Sequence, residues 1–416
     1  MRILFLTSRF PYPPLGGDRL RAYHIIKHLL KQGHEVDLLS LSDSSVRLTE
    51  SFPKGKVVFL GKSSSYLNCL RGLFSREPLQ IWYFRSAEMR KAVRNVLDRR
   101  RHHLIFCHLI RTAQYADDTR WGIPGIIDMT DAISLNYERV SNSIMRRLSL
   151  KKFIYAFEKE RVLRYEREVM RSFDKCILIS EKDKEYLKKT NDSGNLEVVP
   201  NGIDLNKFAY FGEAYDRNSI VFLGNMRTVP NEDAVFYFIK EVFPLIKKEL
   251  PSARFTIIGD SPTKGLLRLA GSRPDIHITG YVEDVRKFLN TAALSVAPMR
   301  LGAGMQNKIL ESMSVGVPVI TTSIGLEGLS ACPGKEILVE DSPELFAKQA
   351  VKMMKEGSFR RHISLEGRQL VEKIYSWENA LKRLDGILHE LVPEEKRVRS
   401  IHIEKRAGQE QTFKNF

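Results

Sequence analysis

The chain has few cysteines and no long apolar run, and these two absences narrow its class. Its four cysteines (Cys69, Cys107, Cys176, Cys332) are scattered over 416 residues and show no C-x-x-C spacing. A disulfide framework or a structural zinc site is therefore not expected, and the composition favours a reducing cytoplasm. No stretch reaches the roughly 18 to 20 apolar residues that cross a bilayer, and Arg9 interrupts the apolar start. We therefore predict neither a transmembrane helix nor a signal peptide.

The chain is long and carries a large positive charge. A chain of 416 residues exceeds what one hydrophobic core usually organises, so two domains are predicted. The formal net charge is +16, and residues 1–200 carry 36 Lys and Arg against 23 Asp and Glu, whereas the remainder carries 30 against 27. Such asymmetry is typical of contact with anionic lipid or nucleic acid. Surface lysines that serve only solubility would give the same pattern.

The most informative stretch is Ala297–Thr322, which reads A-P-M-R-L-G-A-G-M-Q-N-K-I-L-E-S-M-S-V-G-V-P-V-I-T-T. The pattern predicts a strand, a loop through Gly302 and Gly304, a helix over about residues 306–315, and a second strand over 317–322. A glycine loop that leads into a helix N-terminus presents backbone N–H groups and the positive end of the helix dipole. Such a place suits a phosphate or diphosphate.

Charged residues accompany this loop. Arg300 and Lys308 flank it, and Glu311 follows Lys308 by one helical turn. Residues three apart share a helix face, so Lys308 and Glu311 can address one bound molecule. A cation and a carboxylate so placed suit the phosphates and the ribose hydroxyls of a nucleotide. The alternative is that the two cations are solvated and that Glu311 only pairs with Lys308.

Two stretches resemble a known family. Glu311–Val319 (E-S-M-S-V-G-V-P-V) and Val198–Asp204 (V-V-P-N-G-I-D) resemble signatures of retaining glycosyltransferases of the GT-B fold, of the family 4 or group 1 type. The resemblance spans about residues 1–392. It implies two Rossmann-like, doubly wound α/β domains facing across a cleft, and βα alternation in the second half supports this. It also implies transfer of a sugar, with retention, from a nucleotide-diphosphate donor to a hydroxyl acceptor, such as a lipid-linked or growing cell-surface polysaccharide.

The resemblance also suggests a division of the chain. An acceptor-side domain is expected over 1–204, a linker over 205–218, and a nucleotide-sugar-binding domain over 219–375. Residues 376–392 are expected to form a helix that packs back on the first domain. Residues 393–416 are rich in charge and poor in apolar spacing, which predicts a mobile basic tail.

Three positions depart from the family pattern. Ala303 stands where the family has the first of two glutamates, which touches the donor sugar, whereas Glu311 matches the second, which binds the ribose. Asn225 and Pro230 stand where the family loop G-R-x-x-x-x-K-G has its diphosphate-binding Arg and Lys. We therefore expect three other cations to bind and stabilise the leaving diphosphate: Arg227, Arg300 and Lys308.

The sequence also bears on the type of chemistry. A double displacement needs a carboxylate nucleophile, and no pair of carboxylates in the sequence is placed for that role. Catalysis is therefore expected to depend on stabilising the negative charge of the departing diphosphate. The sequence has no Asp-x-Asp motif, so no metal or other cofactor is expected to be required. A UDP- or GDP-sugar is the expected donor substrate.

Further candidates lie where strands of the first half are predicted to end. Gly16 and Gly17 lead into a helix, and the resemblance places this loop beside the donor phosphates and the acceptor; a plain tight turn is the alternative. The resemblance places His108 near the donor sugar or the reaction centre, although a lone histidine is more often structural. Asp128 and Asp131 follow another strand, either as acceptor-hydroxyl ligands or as caps of the next helix.

A basic helical tract is predicted over 141–171. Four of its cations, Arg146, Arg147, Lys151 and Lys152, interleave with bulky apolar residues. Such a segment can lie in a membrane interface, which would make the protein peripheral on the inner face of the cytoplasmic membrane. Alternatively, its apolar side is buried in the core of the first domain.

The residues leave two other functions open. A GT-B-fold nucleotide-sugar epimerase would use the same second-domain site without an acceptor. A nucleic-acid-binding protein would use the basic half, but that half lacks aromatic platforms interleaved with basic residues, so nucleic acid is not expected as a partner.

Overall fold

Two parallel β-sheets organise the chain. The computed structural model describes residues 1–43, 55–99, 101–116, 122–142, 150–190, 194–210, 215–302 and 304–393. The first sheet contains β1 (Arg2–Thr7), β2 (Glu35–Ser42), β3 (Gly55–Phe59), β4 (Leu104–His108), β5 (Gly125–Thr130), β6 (Lys175–Leu178) and β7 (Leu196–Val198). The second sheet contains β8 (Asp216–Leu223), β9 (Arg254–Ile258), β10 (Ile276–Gly280), β11 (Ala292–Ala297), β12 (Val319–Thr321) and β13 (Leu338–Val339).

The strand order of both sheets is that of doubly wound α/β domains. The first sheet runs β3-β2-β1-β4-β5-β6-β7 and the second β10-β9-β8-β11-β12-β13, and the paired strands are parallel. Except for the added β7, both follow the Rossmann order 3-2-1-4-5-6. The predicted fold class is therefore confirmed. The strand order reverses between β1 and β4 and between β8 and β11, where ligands bind outside the carboxyl ends of the strands.

Helices cover the faces of both sheets. Those of the first half are α1 (Gly17–Lys31), α2 (Lys62–Gly72), α3 (Leu79–Tyr83), α4 (Ala87–Arg99), α5 (Ile110–Ala113), α6 (Ile133–Asn142), α7 (Leu150–Ser172) and α8 (Glu181–Thr190). Those of the second half are α9 (Val229–Tyr237), a π-helical turn (Phe238–Val242), α10 (Phe243–Glu249), α11 (Lys264–Gly271), α12 (Arg286–Leu289), α13 (Asn307–Ser314), α14 (Ser323–Leu326), α15 (Pro343–Lys355), α16 (Gly357–Ile374), α17 (Trp377–Ala380) and α18 (Lys382–Leu391). Within the described part of the chain, no helix is both long and apolar enough to cross a membrane.

The predicted basic tract corresponds to two helices. It begins in the last residues of α6 and continues in α7, and the residues between them, with Arg146 and Arg147, lie outside the described part of the chain. Lys151 and Lys152 belong to the first turn of α7, but their side chains are not among those described.

The last two helices pack on the first domain. Trp377 and Leu384 belong to the same hydrophobic cluster as Ile3 of β1, and the Trp377 ring stacks on His24 with centroids 4.4 Å apart. Gly202, in the V-V-P-N-G-I-D stretch, allows this contact, because a Cβ there would lie 2.5 Å from the Trp377 Cα. The predicted tail lies outside the described residues apart from its first position.

Candidate active site between the domains

A cleft of about 860 Å³ opens between the two domains at the carboxyl ends of β1, β8 and β11. This volume suits a small-molecule ligand of nucleotide size. The second domain contributes the loop after β8 and the start of α13. The first domain contributes Arg9, Gly17, Asn136 and Tyr155. Within the described residues, no group of three or more His, Cys, Asp or Glu is arranged to hold a metal ion.

Lys308 lies in the cleft on the first turn of α13. Its ammonium donates to Asn231 Oδ1 at 2.6 Å and to Gln306 Oε1 at 3.3 Å, and lies 4.9 Å from the centre of the Phe222 ring. Burial lowers the pKa of Lys308 to about 7, against the opposing charge of Glu311. An anion bound in the cleft would raise this pKa again, because a nearby negative charge favours the ammonium.

Glu311 lines the same cleft one turn further along α13. Burial raises its pKa to about 7, although the charges of Lys207 and Lys308 lower it. Among the described residues, the Glu311 carboxylate accepts no hydrogen bond and is not within ion-pair distance of Lys308. The alternative in which Glu311 only neutralises Lys308 is therefore not what the structure shows. The carboxylate can accept hydrogen bonds from a ligand.

Arg227 lies at the rim of the cleft in the loop after β8. Its side chain is 74% exposed, donates to Ser261 Oγ at 2.8 Å and lies 3.9 Å from the Asp260 carboxylate. Asn225, which replaces the family arginine, shapes this loop, because its side chain accepts from the Arg227 N–H at 2.9 Å and its carbonyl accepts from Asn231. Pro230, which replaces the family lysine, stands in the first turn of α9, where proline is favoured.

Arg300 requires a correction. Its guanidinium donates two hydrogen bonds to the Asp233 carboxylate, at 3.1 and 2.5 Å, and lies 4.6 Å from the centre of the Tyr237 ring. Arg300 is not among the residues that line the cleft. The expectation that it faces the donor phosphates is therefore not met, because the guanidinium is bound to α9.

Both glycines of the loop before α13 have left-handed backbone conformations. Gly302 has φ 123° and Gly304 has φ 71°, which side-chain-bearing residues rarely adopt. Gly302 lines the cleft, and its carbonyl accepts from Arg139 Nη1 of the first domain at 2.5 Å. The same arginine lies 2.7 Å from the Glu327 carboxylate. Ala303, at the position of the family's first glutamate, lies outside the described residues.

Gly16 and Gly17 lie where the first domain faces the second. Gly16 has φ 89° and precedes α1, and Gly17 begins that helix and lines the cleft. A Cβ on Gly17 would lie 3.9 Å from the side-chain amide of Asn307 at the start of α13. Asn201 also donates to Asn307 across the boundary, at 3.2 Å. The N-terminus of α13 therefore faces the backbone of the first domain across the cleft.

His108 and Asp128 belong to a buried network behind the cleft. Asp128 accepts from Arg21 at 2.8 and 3.0 Å and pairs with His108 Nδ1 at 2.9 Å. His108 Nε2 lies 2.9 Å from the Asp18 carbonyl, and Arg21 also donates to the segment Val199–Asn201. Burial raises the pKa of Asp128, but the charge of Arg21 and the hydrogen bond with His108 outweigh burial and hold this pKa at about 2.

The roles expected for Asp128 and His108 are not supported by their positions in this network. Asp128 and His108 are buried and do not line the cleft. The Asp128 carboxylate is fully committed to Arg21 and His108, so it is not available to an acceptor hydroxyl. Both ring nitrogens of His108 face oxygen atoms of the protein, so the imidazole reaches no donor sugar in this arrangement.

Asp131 lies against the second domain instead of facing an acceptor. A Cβ on Gly304 would lie 1.7 Å from its Oδ1, and this oxygen is buried without a hydrogen-bond partner among the described residues. Burial and the neighbouring charge of Asp183 raise the pKa of Asp131 to about 8. The protonated side chain is therefore part of the contact between the domains at neutral pH, and Asp131 does not line the cleft.

We expect Asp131→Asn to flatten the pH dependence of stability. The pKa of Asp131 in the folded protein, about 8, lies above the unfolded value of about 3.9. The native chain therefore binds more protons between these values, and stability falls as pH rises from about 4 to about 8. Asparagine removes this contribution. Urea unfolding at pH 6, 7 and 8.5 measures it, with the surface variant Glu378→Gln as control; an unchanged slope with pH would contradict the assignment.

Several cleft residues were not predicted from the sequence. Asn231 and Gln306 hold the Lys308 ammonium, and Arg9, Asn136 and Tyr155 form the opposite wall. No periodic spacing marks these positions. Only Asn231 could have been inferred from the sequence, because it lies in the loop that binds phosphate in the family.

Comparison with known families identifies the type of enzyme to which the chain belongs. Residues 15–207 match the family described as Glycosyltransferase Family 4, and residues 217–356 match the one described as Glycosyl transferases group 1. The chain belongs to the group 1, or family 4, glycosyltransferases. It is therefore an enzyme of sugar transfer, and the two matches together contain all the residues that line the cleft except Arg9.

Two curated relatives of these glycosyltransferases are informative. A 44.6 kDa protein in the cps region of Klebsiella pneumoniae is 21% identical over 390 residues, which cover 90% of this chain and 96% of the relative. The UDP-Gal:alpha-D-GlcNAc-diphosphoundecaprenol alpha-1,3-galactosyltransferase of Escherichia coli is 27% identical over 166 residues. That match covers 36% of this chain and 43% of the relative.

A solved structure supports the fold over the whole glycosyltransferase. Sucrose-phosphate synthase from Thermosynechococcus elongatus superposes with a TM-score of 0.71 at 13% identity. The superposition covers 94% of this chain and 99% of the synthase. At this identity the likeness concerns the fold alone, and it shows the GT-B arrangement of two facing Rossmann-like domains.

Proposed function

We propose that the interdomain cleft binds a nucleoside diphosphate sugar, UDP- or GDP-linked, and that the enzyme passes its sugar with retention to a hydroxyl of a lipid-linked glycan. The observation that carries the proposal is the placement of Lys308 and Glu311 on one face of α13, both in the cleft and without an ion pair between them in the described residues. The E. coli relative supports the donor and acceptor classes, because its name specifies UDP-Gal and a diphosphoundecaprenol-linked acceptor.

In this proposal the second domain stabilises the leaving group. The diphosphate lies between the Lys308 ammonium and the N-terminus of α13, which has no side-chain cap. Negative charge that develops on the departing diphosphate then meets an ammonium and backbone N–H groups already in position, which lowers the barrier. Arg227, exposed at the rim, can turn towards the same phosphates.

The first domain then presents the acceptor. Arg9, Asn136 and Tyr155 line the wall opposite Lys308 and replace Asp128 and Asp131 as acceptor-side candidates. Glu311 is the only carboxylate in the described lining of the cleft, and in the bound state it accepts hydrogen bonds from the ribose. A double displacement needs a carboxylate nucleophile at the sugar, so we favour attack by the acceptor hydroxyl on the face from which the diphosphate leaves.

An apolar surface of the first domain supports contact with an anionic membrane. The α2–α7 face consists of exposed side chains of α2, of the turn after it and of α7: Tyr66, Leu67, Leu70, Leu73, Phe74, Phe153, Ile154 and Phe157. Arg161 of α7 joins the two parts by donating to the Gly72 carbonyl at 2.6 Å. Lys62, Arg71 and Arg76 are exposed around it. Bulky apolar residues with a basic rim suit an anionic lipid surface, which would hold the enzyme near a lipid-linked acceptor.

Glu311→Gln tests the ribose contact. A hydrogen bond to a charged group contributes about 1.5 to 3 kcal/mol, so we expect UDP or GDP affinity to fall by about tenfold or more. The wild type is expected to prefer UDP over 2′-deoxy-UDP, and the variant to lose this preference. Isothermal titration measures both, with the exposed Glu283→Gln as control. If Glu311→Gln kept the affinity and the preference, Glu311 would not bind the ribose.

A further inference from the structure

The first domain contains a second, smaller pocket beside the cleft. It has a volume of about 150 Å³ and lies at the carboxyl ends of β1 and β2. Ser8, Arg9 and Arg19 form one wall of this β1–β2 pocket, and Tyr83 and Phe84 belong to another. Ligand pockets for drug-sized molecules are about 300 to 1,000 Å³, so this space suits one small group, not a nucleotide.

The β1–β2 pocket carries an excess of positive charge. Among the described residues, the Arg19 guanidinium has no hydrogen-bond or ion-pair partner, and Arg9 lies 3.1 Å from Asp18. Arg111 lies behind the wall, 5.0 Å from the centre of the Phe84 ring, and burial and the charge of Arg9 lower its pKa.

Carboxylates near the pocket do not cancel this charge. Asp18 is already paired with Arg9, and Asp43, which lines the pocket, lies 3.7 Å from the Lys62 ammonium. The guanidinium of Arg19 therefore offers an uncompensated positive charge to a phosphate, which arginine binds with two parallel hydrogen bonds.

A buried hydroxyl also points to a ligand. Ser8 is 2% exposed and lines the β1–β2 pocket, and its Oγ has no hydrogen-bond partner among the described residues. A buried polar atom without a partner is costly and uncommon in native proteins. A phosphate oxygen in the pocket would accept its hydrogen bond.

The pocket lies between the cleft and the α2–α7 face. Arg9 lines both the cleft and the β1–β2 pocket. On the other side, Tyr83 of the pocket wall packs edge-to-face on Tyr66 of the α2–α7 face, with ring centroids 5.8 Å apart. A single ligand that follows this route meets a sugar-transfer site, then a cationic pocket, then an apolar surface.

We propose that the β1–β2 pocket binds the diphosphate of a polyprenyl-diphosphate-linked acceptor. The acceptor's sugar then extends past Arg9 into the cleft, and its polyprenyl chain follows the α2–α7 face. The assignment rests on the proposed function, in which the cleft holds the sugar donor. Arg19 and Ser8 bind the diphosphate and do not line the donor cleft.

Titration with farnesyl diphosphate in the presence of saturating UDP tests the assignment. We expect binding by the wild type, a loss of tenfold or more in Arg19→Gln, a smaller loss in Ser8→Ala, and no change in the exposed second-domain control Arg268→Gln. UDP affinity is expected to stay within twofold in all three variants, which also shows that they are folded. Farnesyl diphosphate binding that is unaffected by Arg19→Gln would overturn the site.

Inorganic pyrophosphate and farnesol distinguish the source of the diphosphate. Pyrophosphate is expected to bind more weakly than farnesyl diphosphate but with the same dependence on Arg19, and farnesol is expected not to bind. Equal affinity for pyrophosphate and farnesyl diphosphate would overturn the lipid part and indicate a site for free diphosphate. If the wild type bound farnesyl diphosphate through Arg19 but bound neither UDP nor GDP, the pocket would stand and the proposed donor site would fail.

Discussion

Replacing Lys308 by methionine is expected to lower kcat for sugar transfer by about 10²- to 10³-fold, the loss typical when one preorganised group that stabilises a developing negative charge is removed. Methionine keeps most of the side-chain volume next to Phe222 but removes the only ammonium in the described lining of the cleft. Initial rates of transfer from UDP- and GDP-sugars measure the effect. The expected loss of kcat is large because the proposal places the ammonium next to the departing diphosphate, where negative charge develops.

Arg300→Met is the matched control for Lys308. Both cations flank the same glycine loop, but Arg300 is bound to Asp233 outside the cleft. We therefore expect Arg300→Met to retain kcat within a few fold and to lose some stability. Equal losses of kcat in the two variants, or a large loss only in Arg300→Met, would show that the leaving group is stabilised elsewhere.

Asp128→Ala is expected to reduce the free energy of unfolding by about 3 to 5 kcal/mol, the cost of removing one partner from a buried ion pair. The substitution leaves the Arg21 guanidinium buried without its carboxylate and removes the partner of His108 Nδ1. Urea unfolding at pH 7 measures the loss. Asp284→Ala is the control, because Asp284 binds Arg286 through the same two guanidinium nitrogens but near the surface, where such pairs contribute about 1 kcal/mol or less.

The pH dependence of this effect has a definite sign. The pKa of Asp128 is about 2 in the folded protein, below the unfolded value of about 3.9. Its contribution is therefore fully present above about pH 4 and is lost as pH falls towards 2. The difference in stability between wild type and Asp128→Ala should shrink over that interval. A difference that stayed constant down to pH 2 would contradict a buried, ionised Asp128.

The unit around α13 was predictable because its signals are local. Glycine at 302, 304 and 316 and proline at 318 mark the turns, and α13 (Asn307–Ser314) lies within one residue of the predicted bounds at each end. The three-residue spacing of Lys308 and Glu311 places both in the cleft, as helical periodicity requires.

The partners of the charged side chains were not predictable, because they are distant in sequence. Asp233, which binds Arg300, lies 67 residues away from it, and Arg21, which binds Asp128, lies 107 residues away. One signal was available: Arg21 stands beside Ala22 on the buried side of α1, where a charge needs a buried partner. The pairing of strands β1, β4 and β5 then brings Arg21, His108 and Asp128 together.

Hydrogen exchange with and without nucleotide tests the central claim most directly, since it locates the donor site without requiring an acceptor. On addition of UDP or GDP, we expect slower exchange in peptides that cover residues 224–231 and 304–314, which form the second-domain wall of the cleft. The protection should be lost in Lys308→Met and retained in Arg300→Met. Protection confined to other segments, or protection that persists in Lys308→Met, would contradict a donor site built on α13.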